Sequence, residues 1–101
     1  MEKFQNSVQP TYETMSKEFQ PIKRDEVFKA INDERDYQDV IWPDHVHSTI
    51  EYLAYIKHYV DKGISEVTVG KERDALDSLR KIGALAVAGM EQNGCAKRYM
   101  L

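Results

Sequence analysis

The chain of 101 residues has little of the material from which several classes of protein are built. It contains a single cysteine, Cys95, which excludes an internal disulfide and a cysteine-only zinc site and agrees with a reducing compartment. Its longest uncharged apolar run, residues 82–90, is far shorter than the roughly 20 residues of a membrane-spanning helix. The first residues also lack the apolar stretch of a signal peptide. We therefore expect a cytoplasmic protein with no membrane partner.

The charge of the chain is close to balanced. Lys and Arg number 14 against 17 Asp and Glu, which gives a formal net charge of −3. This is neither the basic field of a nucleic-acid binder nor the dense negative charge of a DNA mimic. We expect no nucleic-acid partner and, at this length, one domain at most.

Residues that interrupt helices are scarce, with 5 Gly and 3 Pro, and period-2 alternation is confined to residues 66–69. The sequence therefore predicts an all-α fold. We expect an antiparallel helical bundle of three main helices in residues 22–101, preceded by an N-terminal arm or short helix in residues 1–21. Three residues of this arm recur at helical spacing: Tyr12, Met15 and Phe19.

Local signals mark the ends of the first two helices. The first is predicted over residues 23–41, because Pro43 pushes the preceding residue out of the helical region. The second is predicted from Ser48, which forms a capping box with Glu51, to residue 63 or a little beyond. The segment that follows it is interpreted as a helix end and connector, since it is rich in β-branched residues.

The first helix is predicted to have an apolar face and a charged face. The inward stripe consists of Val27, Phe28, Ile31, Gln38 and Ile41. The opposite face, interpreted as a solvated surface, holds Asp33, Glu34, Arg35, Asp36 and Asp39.

The third helix is predicted from about residue 71 to residue 93, with Gly94 supplying the left-handed position at its end. Its first half is expected to bury Ala75, Leu76, Leu79 and Ile82. Residues 82–90 have no polar face, which two neighbouring helices cannot cover alone. Small residues there permit close approach of a further helix: Gly83, Ala84, Ala88 and Gly89. We therefore expect a homo-oligomer, a dimer or higher, in which a partner subunit completes the bundle.

The histidines and acidic residues give weak signals for metal. His45 and His47 in the loop, with His58 beyond, could be zinc ligands, but capping and hydrogen bonding near the second helix explain the loop pair more simply. Asp33, Asp36 and Asp39 could hold a hard cation, although a solvated acidic face accounts for them. We expect no metal site on these grounds.

Aromatic residues give a stronger signal. Tyr52, Tyr55 and Tyr59 share one side of the second helix, and Trp42 ends the first. Such rings stack on nucleobases, and they equally form cores or subunit interfaces.

Several short motifs together resemble those of a known family. Residues 34–38 (ERDYQ), followed by Trp42 and His45-x-His47, resemble the opening of small MazG-like nucleoside triphosphate pyrophosphohydrolases, many of them encoded by phages. Residues 79–92 (LRKIGALAVAGMEQ) are similar to that family's third helix, with Glu91 on its late glutamate. The resemblance covers residues 27–94. It implies an all-α dimer or tetramer that binds Mg²⁺ through an ExxE pair and an ExxD pair and releases pyrophosphate.

The carboxylates that this resemblance requires are largely missing. The ExxE positions fall on His58 or Tyr59 and on Asp61 or Lys62. The ExxD positions fall on residues 77 or 78 and 80 or 81, so each helix keeps at most one acid. Basic side chains stand at several of the positions where the family has carboxylates. Such side chains bind phosphate directly, but they do not generate a metal-bound hydroxide. The alternative is that these cations form surface salt bridges with neighbouring acids and that the cleft is closed.

The sequence thus predicts, as a hypothesis, a non-catalytic protein without cofactors that binds a nucleotide-like anion. A phage could use such a protein to sequester a host defence signal, which rests on the family context alone. The predicted ligand-binding residues are Gln38 to hydrogen bond the base, Trp42, Tyr55 and Tyr59 to stack on it, and Lys57, His58, Lys62, Arg80 and Lys81 around the phosphates.

Two alternatives belong to other classes. One is an interaction protein that inhibits or regulates a host protein through its tyrosine-rich helix or its arm. The other is a Mg²⁺-dependent pyrophosphohydrolase with an irregular acidic set: Asp33, Asp36, Asp61 and Asp77.

Overall fold

A computed structural model describes residues 19–99 and consists of three helices. Helix α1 spans Arg24–Ile41, α2 spans Thr49–Thr68 and α3 spans Glu72–Asn93. No strand occurs in this part of the chain, so the predicted all-α bundle is confirmed. The arm expected in residues 1–21 falls almost entirely outside the described residues.

The start of α2 follows the predicted capping box. The Ser48 N–H donates to Oε1 of Glu51 at 2.8 Å, and the Glu51 N–H donates to Oγ of Ser48 at 3.3 Å. The helix then continues to Thr68, so the segment interpreted as a helix end and connector is helical over residues 64–68 and forms the connection to α3 over residues 69–71. The Thr68 hydroxyl donates to the carbonyl of Ile64 at 2.7 Å, and the Glu66 carboxylate is held from α3, so the β-branched segment stays helical.

Helix α3 ends at glycine, as predicted, but in a different conformation. Gly94 has φ 99° and ψ 169°, so its φ lies in the positive range while its ψ is extended. This region is almost restricted to glycine. Its N–H donates to the carbonyl of Met90 at 2.8 Å and closes the last turn.

Helix α3 is the centre of the bundle, since it packs against both α1 and α2 while those two barely touch. A Cβ placed on Gly83 would lie 2.8 Å from Cδ1 of Ile31 in α1, and one on Gly89 would lie 3.2 Å from the ring of Tyr52 in α2. The small residues of α3 therefore admit the chain's own helices. That they also admit a partner subunit stays a prediction.

The interior formed in this way is small. Its buried apolar residues are Tyr52, Ala84, Leu85 and Ala88. Leu76 and Leu79, expected to point inward from α3, are 37% and 61% exposed, so that prediction is wrong. Ser78 takes the buried position instead, with 1% exposed, and its hydroxyl donates to Glu66 at 2.8 Å.

The inward face of α1 also differs from the prediction. Val27, Phe28 and Ile41 are exposed by 38%, 61% and 40%, so their predicted inward position is wrong, whereas Gln38 is buried as predicted. On the face predicted to be solvated, Asp33, Asp36 and Asp39 are exposed, but Glu34 is half-buried and Arg35 is buried. Salt bridges to α3 stabilise the observed rotation of α1, and amphipathic spacing alone does not reveal them.

No helix among residues 19–99 combines the length and the apolar character needed to cross a membrane.

Two glycine substitutions test the packing of α2 on α3. Gly89→Val should lower the free energy of unfolding by about 1–3 kcal/mol, because its branched side chain would overlap the ring of Tyr52. Gly63→Ala is the control, since its Cβ would lie 3.5 Å from that of Ser78, an ordinary contact. It should leave stability unchanged or raise it by about 0.5–1 kcal/mol. Urea unfolding measures both, and equal stabilities would contradict the close approach at Gly89.

Candidate functional site

A cleft of about 670 Å³ lies between the end of α1, the loop that follows it, and α2. Ile41 and Leu85 contribute to its apolar lining. The loop adds Pro43, Asp44 and Val46. Six aromatic or imidazole side chains line the remainder of the wall: Trp42, His45, His47, Tyr55, His58 and Tyr59. The volume falls in the range of about 300–1,000 Å³ typical of small-molecule sites.

The rings of the cleft contact one another mainly edge to face. The centroids of His45 and His47 are 4.7 Å apart at 71°, and those of His47 and Tyr55 are 5.0 Å apart at 66°. Trp42 remains 45% exposed and Tyr55 43% exposed. Parts of these rings are therefore accessible to a ligand.

The loop that carries the two histidines is held by the last turn of α3. Nε2 of Gln92 donates to the carbonyl of His45 at 3.0 Å, and its Oε1 accepts from the N–H of His47 at 2.9 Å. Nδ2 of Asn93 donates to the carbonyl of His47 at 3.1 Å. The sequence analysis missed both residues, since only the fold brings them to the loop.

His45 is tied to the core as well as to the loop. Its Nε2 is hydrogen bonded to the hydroxyl of Tyr52 at 3.2 Å, and Tyr52 is 2% exposed. Burial lowers the pKa of His45 below its ordinary value of 6.5, and the nearby His47 and Arg35 lower it further. His45 is therefore neutral at physiological pH.

A buried arginine joins α1 to α3 near this loop. Nε of Arg35 donates to Oε1 of Glu91 at 2.7 Å, and Nη1 donates to Oδ1 of Asp39 at 2.7 Å. Burial works to lower the pKa of Arg35, but the hydrogen bonds to the two carboxylates outweigh it and raise the pKa. The pairing fixes the rotation of α1, and so the position of Gln38.

A smaller recess of about 230 Å³ adjoins the cleft, with which it shares Ile41, Trp42, Tyr59 and Leu85. Gln38 lines it and is 2% exposed, and its Oε1 is buried without a hydrogen-bond partner. The other polar or charged residues of the recess are Glu34, Tyr37 and Lys81. The ammonium of Lys81 lies 5.7 Å from the centroid of the Tyr59 ring, within cation–π range.

The structure brings together six of the nine predicted ligand-binding residues. These six line the cleft or its recess: Gln38, Trp42, Tyr55, His58, Tyr59 and Lys81. Lys57, Lys62 and Arg80 line neither.

The basic residues predicted to bind phosphate form ion pairs with acidic side chains. Lys57 pairs with Asp61 at 2.9 Å and Lys62 pairs with Glu66. Nε of Arg80 donates to Oε1 of Glu34 at 3.0 Å. Asp77 accepts from both Arg80 and Lys81. Burial tends to raise the pKa of Asp77, but these two cations outweigh it, so the pKa lies below its usual value.

The residues at the positions of the family's metal-binding carboxylates do not fit magnesium. Asp61 is paired with Lys57 and Asp77 with Arg80 and Lys81, while Asp33 is paired with Lys29 at 2.8 Å. Among residues 19–99, no three His, Cys, Asp or Glu side chains are grouped closely enough to share an ion.

No family profile, curated protein or solved structure matches this chain. The resemblance to the MazG-like family therefore stays a prediction from short motifs. The function has to be argued from the cleft itself.

The low pKa of His45 predicts a pH dependence of stability. The unfolded chain binds a proton near pH 6.5 while folded His45 resists it, so the free energy of unfolding should fall as the pH drops below that value. Urea unfolding at about pH 7.5 and about pH 5.5 measures the change around the ordinary pKa of histidine. His45→Gln should reduce the difference between the two pH values, and an undiminished difference would contradict the assignment.

Proposed function

We propose that this protein binds a nucleotide or a nucleotide-derived signal in the cleft and does not hydrolyse it. One observation carries the proposal: an open cleft with aromatic walls adjoins a recess in which Gln38 has a buried, unpartnered carbonyl oxygen. Binding sites for small molecules combine this kind of apolar lining with a few polar groups that fix orientation.

The base of the ligand is the part that the cleft suits best. Rings such as Trp42, Tyr55 and Tyr59 stack on any base, and stacking contributes about 1–3 kcal/mol per base. The side-chain amide of Gln38 is both a donor and an acceptor, so it supplies the hydrogen-bonding group next to the stacking surface.

The phosphates of the ligand would be bound by lysine and arginine side chains that pair with carboxylates in the structure. Lys81 lines the recess, and its partner Asp77 also accepts from Arg80. The Lys57–Asp61 pair is well exposed, with side-chain exposures of 76% and 63%. Exposed pairs contribute only about 0–1 kcal/mol, so exchanging a carboxylate for a phosphate costs little.

Within this proposal, the biological role is sequestration of a signal. A phage protein of this kind would bind a nucleotide that a host defence system makes and so remove it from use. That role follows from the resemblance to phage-encoded MazG-like proteins. The mismatch between the residues and a magnesium site favours binding over turnover.

A second candidate is association with another protein chain, favoured by the apolar surface. An apolar groove of about 330 Å³ between α2 and α3 is lined in part by Ile64, Val67, Leu76 and Leu79, which are 59%, 49%, 37% and 61% exposed. Exposed apolar surface of this kind marks an interaction site. We propose a second copy of the chain as the occupant; a host protein is the alternative, in which case the function is inhibition or regulation.

The third candidate, a Mg²⁺-dependent pyrophosphohydrolase, has the least support, because three of its four acids are paired with cations: Asp33, Asp61 and Asp77, but not Asp36. Pyrophosphate released from a nucleoside triphosphate and abolished by a chelator would establish it and overturn the proposal of a non-catalytic protein.

Ligand binding is tested by a thermal-shift screen of nucleotides, cyclic dinucleotides and NAD-derived compounds with and without Mg²⁺, followed by calorimetry. A ligand should raise the melting temperature by mass action. Trp42→Ala should weaken binding about tenfold or more through lost stacking. Lys81→Ala should weaken binding of phosphorylated ligands by about fivefold through the lost charge.

Three further lysine variants make this test specific. Lys29→Ala removes an exposed Lys–Asp pair of α1 outside the site and should leave affinity unchanged. Lys57→Ala and Lys62→Ala decide whether the phosphates reach beyond the recess. Unchanged affinity in Trp42→Ala would contradict the cleft as the binding site.

Self-association is tested by light scattering on the eluting protein. The wild type should have at least twice the mass of one chain, because burying the apolar groove is favourable. Leu79→Glu, at a position 61% exposed, should give single chains. Val40→Glu on α1 is the matched control, 76% exposed and outside the groove, and should not change the mass. A wild type with the mass of one chain would contradict the proposal.

A further inference from the structure

The side chain of Gln38 is an exception to the hydrogen bonding of the interior. Its Oε1 is the one buried side-chain nitrogen or oxygen atom among residues 19–99 that has no hydrogen-bond partner. Nearly all such atoms in native proteins are bonded, because leaving one unbonded after removal from water costs free energy. An atom of this kind calls for an explanation.

The surroundings of Gln38 do not supply a structural partner. Its backbone carbonyl accepts from the N–H of Trp42 at 2.9 Å, so the main chain is satisfied. One turn earlier, Arg35 is paired with Glu91 and Asp39. The unpartnered atom is therefore confined to the side chain of Gln38, which is one of those that line the recess.

The other charged groups of the recess already have partners. Glu34 accepts from Arg80 at 3.0 Å, and Lys81 pairs with Asp77 at 3.2 Å. Apart from Tyr37, which is 56% exposed, the amide of Gln38 is thus the polar group of the recess left to recognise a ligand, and the rings of Trp42 and Tyr59 line the same space.

From this arrangement we infer that the recess recognises an amino-substituted base edge: an exocyclic amino group beside an unprotonated ring nitrogen, as in adenine and cytosine. The amino group donates to Oε1 of Gln38, and the side-chain amide can donate to the ring nitrogen in the same plane. With the amide of Gln38 oriented as in the structure, hypoxanthine and uracil would place a carbonyl oxygen against the buried Oε1, and two acceptors repel. The inference rests on the proposed function and specifies its ligand class.

Calorimetry on the full chain with matched nucleosides tests the inference without any mutation. Adenosine should bind about tenfold or more tightly than inosine, and cytidine should exceed uridine by a similar factor, as for the loss of one hydrogen bond in a buried site. Comparing the two pairs also shows whether the recess takes a purine or a pyrimidine. Equal affinities within both pairs would overturn the inference and leave the proposed function standing, whereas no binding by any nucleoside or nucleotide would overturn both.

A substitution at Gln38 adds a second readout. Gln38→Met keeps the length of the side chain and removes the unpartnered atom, so it should abolish the preference for amino bases without lowering the melting temperature. Asn32→Met, at an exposed position on the same helix, is the control and should keep the preference. A lower melting temperature in Gln38→Met, with the preference retained, would show that Gln38 serves the fold and would overturn the inference.

Discussion

The close packing of α3 against the other two helices is the constraint on which the rest of the structure depends. Glycine at positions 83 and 89 lets Ile31 of α1 and Tyr52 of α2 approach α3 more closely than a side chain would allow. Each of these helices packs on α3, and α1 and α2 barely touch one another. The cleft lies between the end of α1, the loop that follows it and α2.

Polar contacts then decide which groups face the cleft. The pairing of the buried Arg35 with the half-exposed Glu91 fixes the rotation of α1, which turns Gln38 inward and leaves much of the apolar side of α1 in solvent. Gln92 holds the loop backbone at His45 and His47. Loss of both carboxylates would leave the buried guanidinium of Arg35 unpaired, which is destabilising, so these contacts position the site as well as stabilise the fold.

The balance of chemistry in the cleft favours recognition of a base over turnover of a phosphate. Aromatic and imidazole rings dominate the walls, and the predicted cations are occupied by carboxylates. Within residues 19–99, no group of three His, Cys, Asp or Glu side chains is close enough to hold a metal ion. A large exposed apolar surface on α2 and α3 remains, and it is the feature that a single chain leaves uncovered.

The helices and their ends were predictable from the sequence, because each depends on neighbours within a few residues: the capping box of Ser48 and Glu51, and the glycine at position 94. The sequence also indicated the ring and amide groups of the site, although which of its cations reach the cleft was not evident. The rotation of each helix and the partner of each charge were decided by the tertiary structure. Arg35 and Glu91 lie 56 positions apart, and Gln92 and His47 lie 45 apart. Local periodicity carries no information about such pairs, since their energy exists only once the helices have packed.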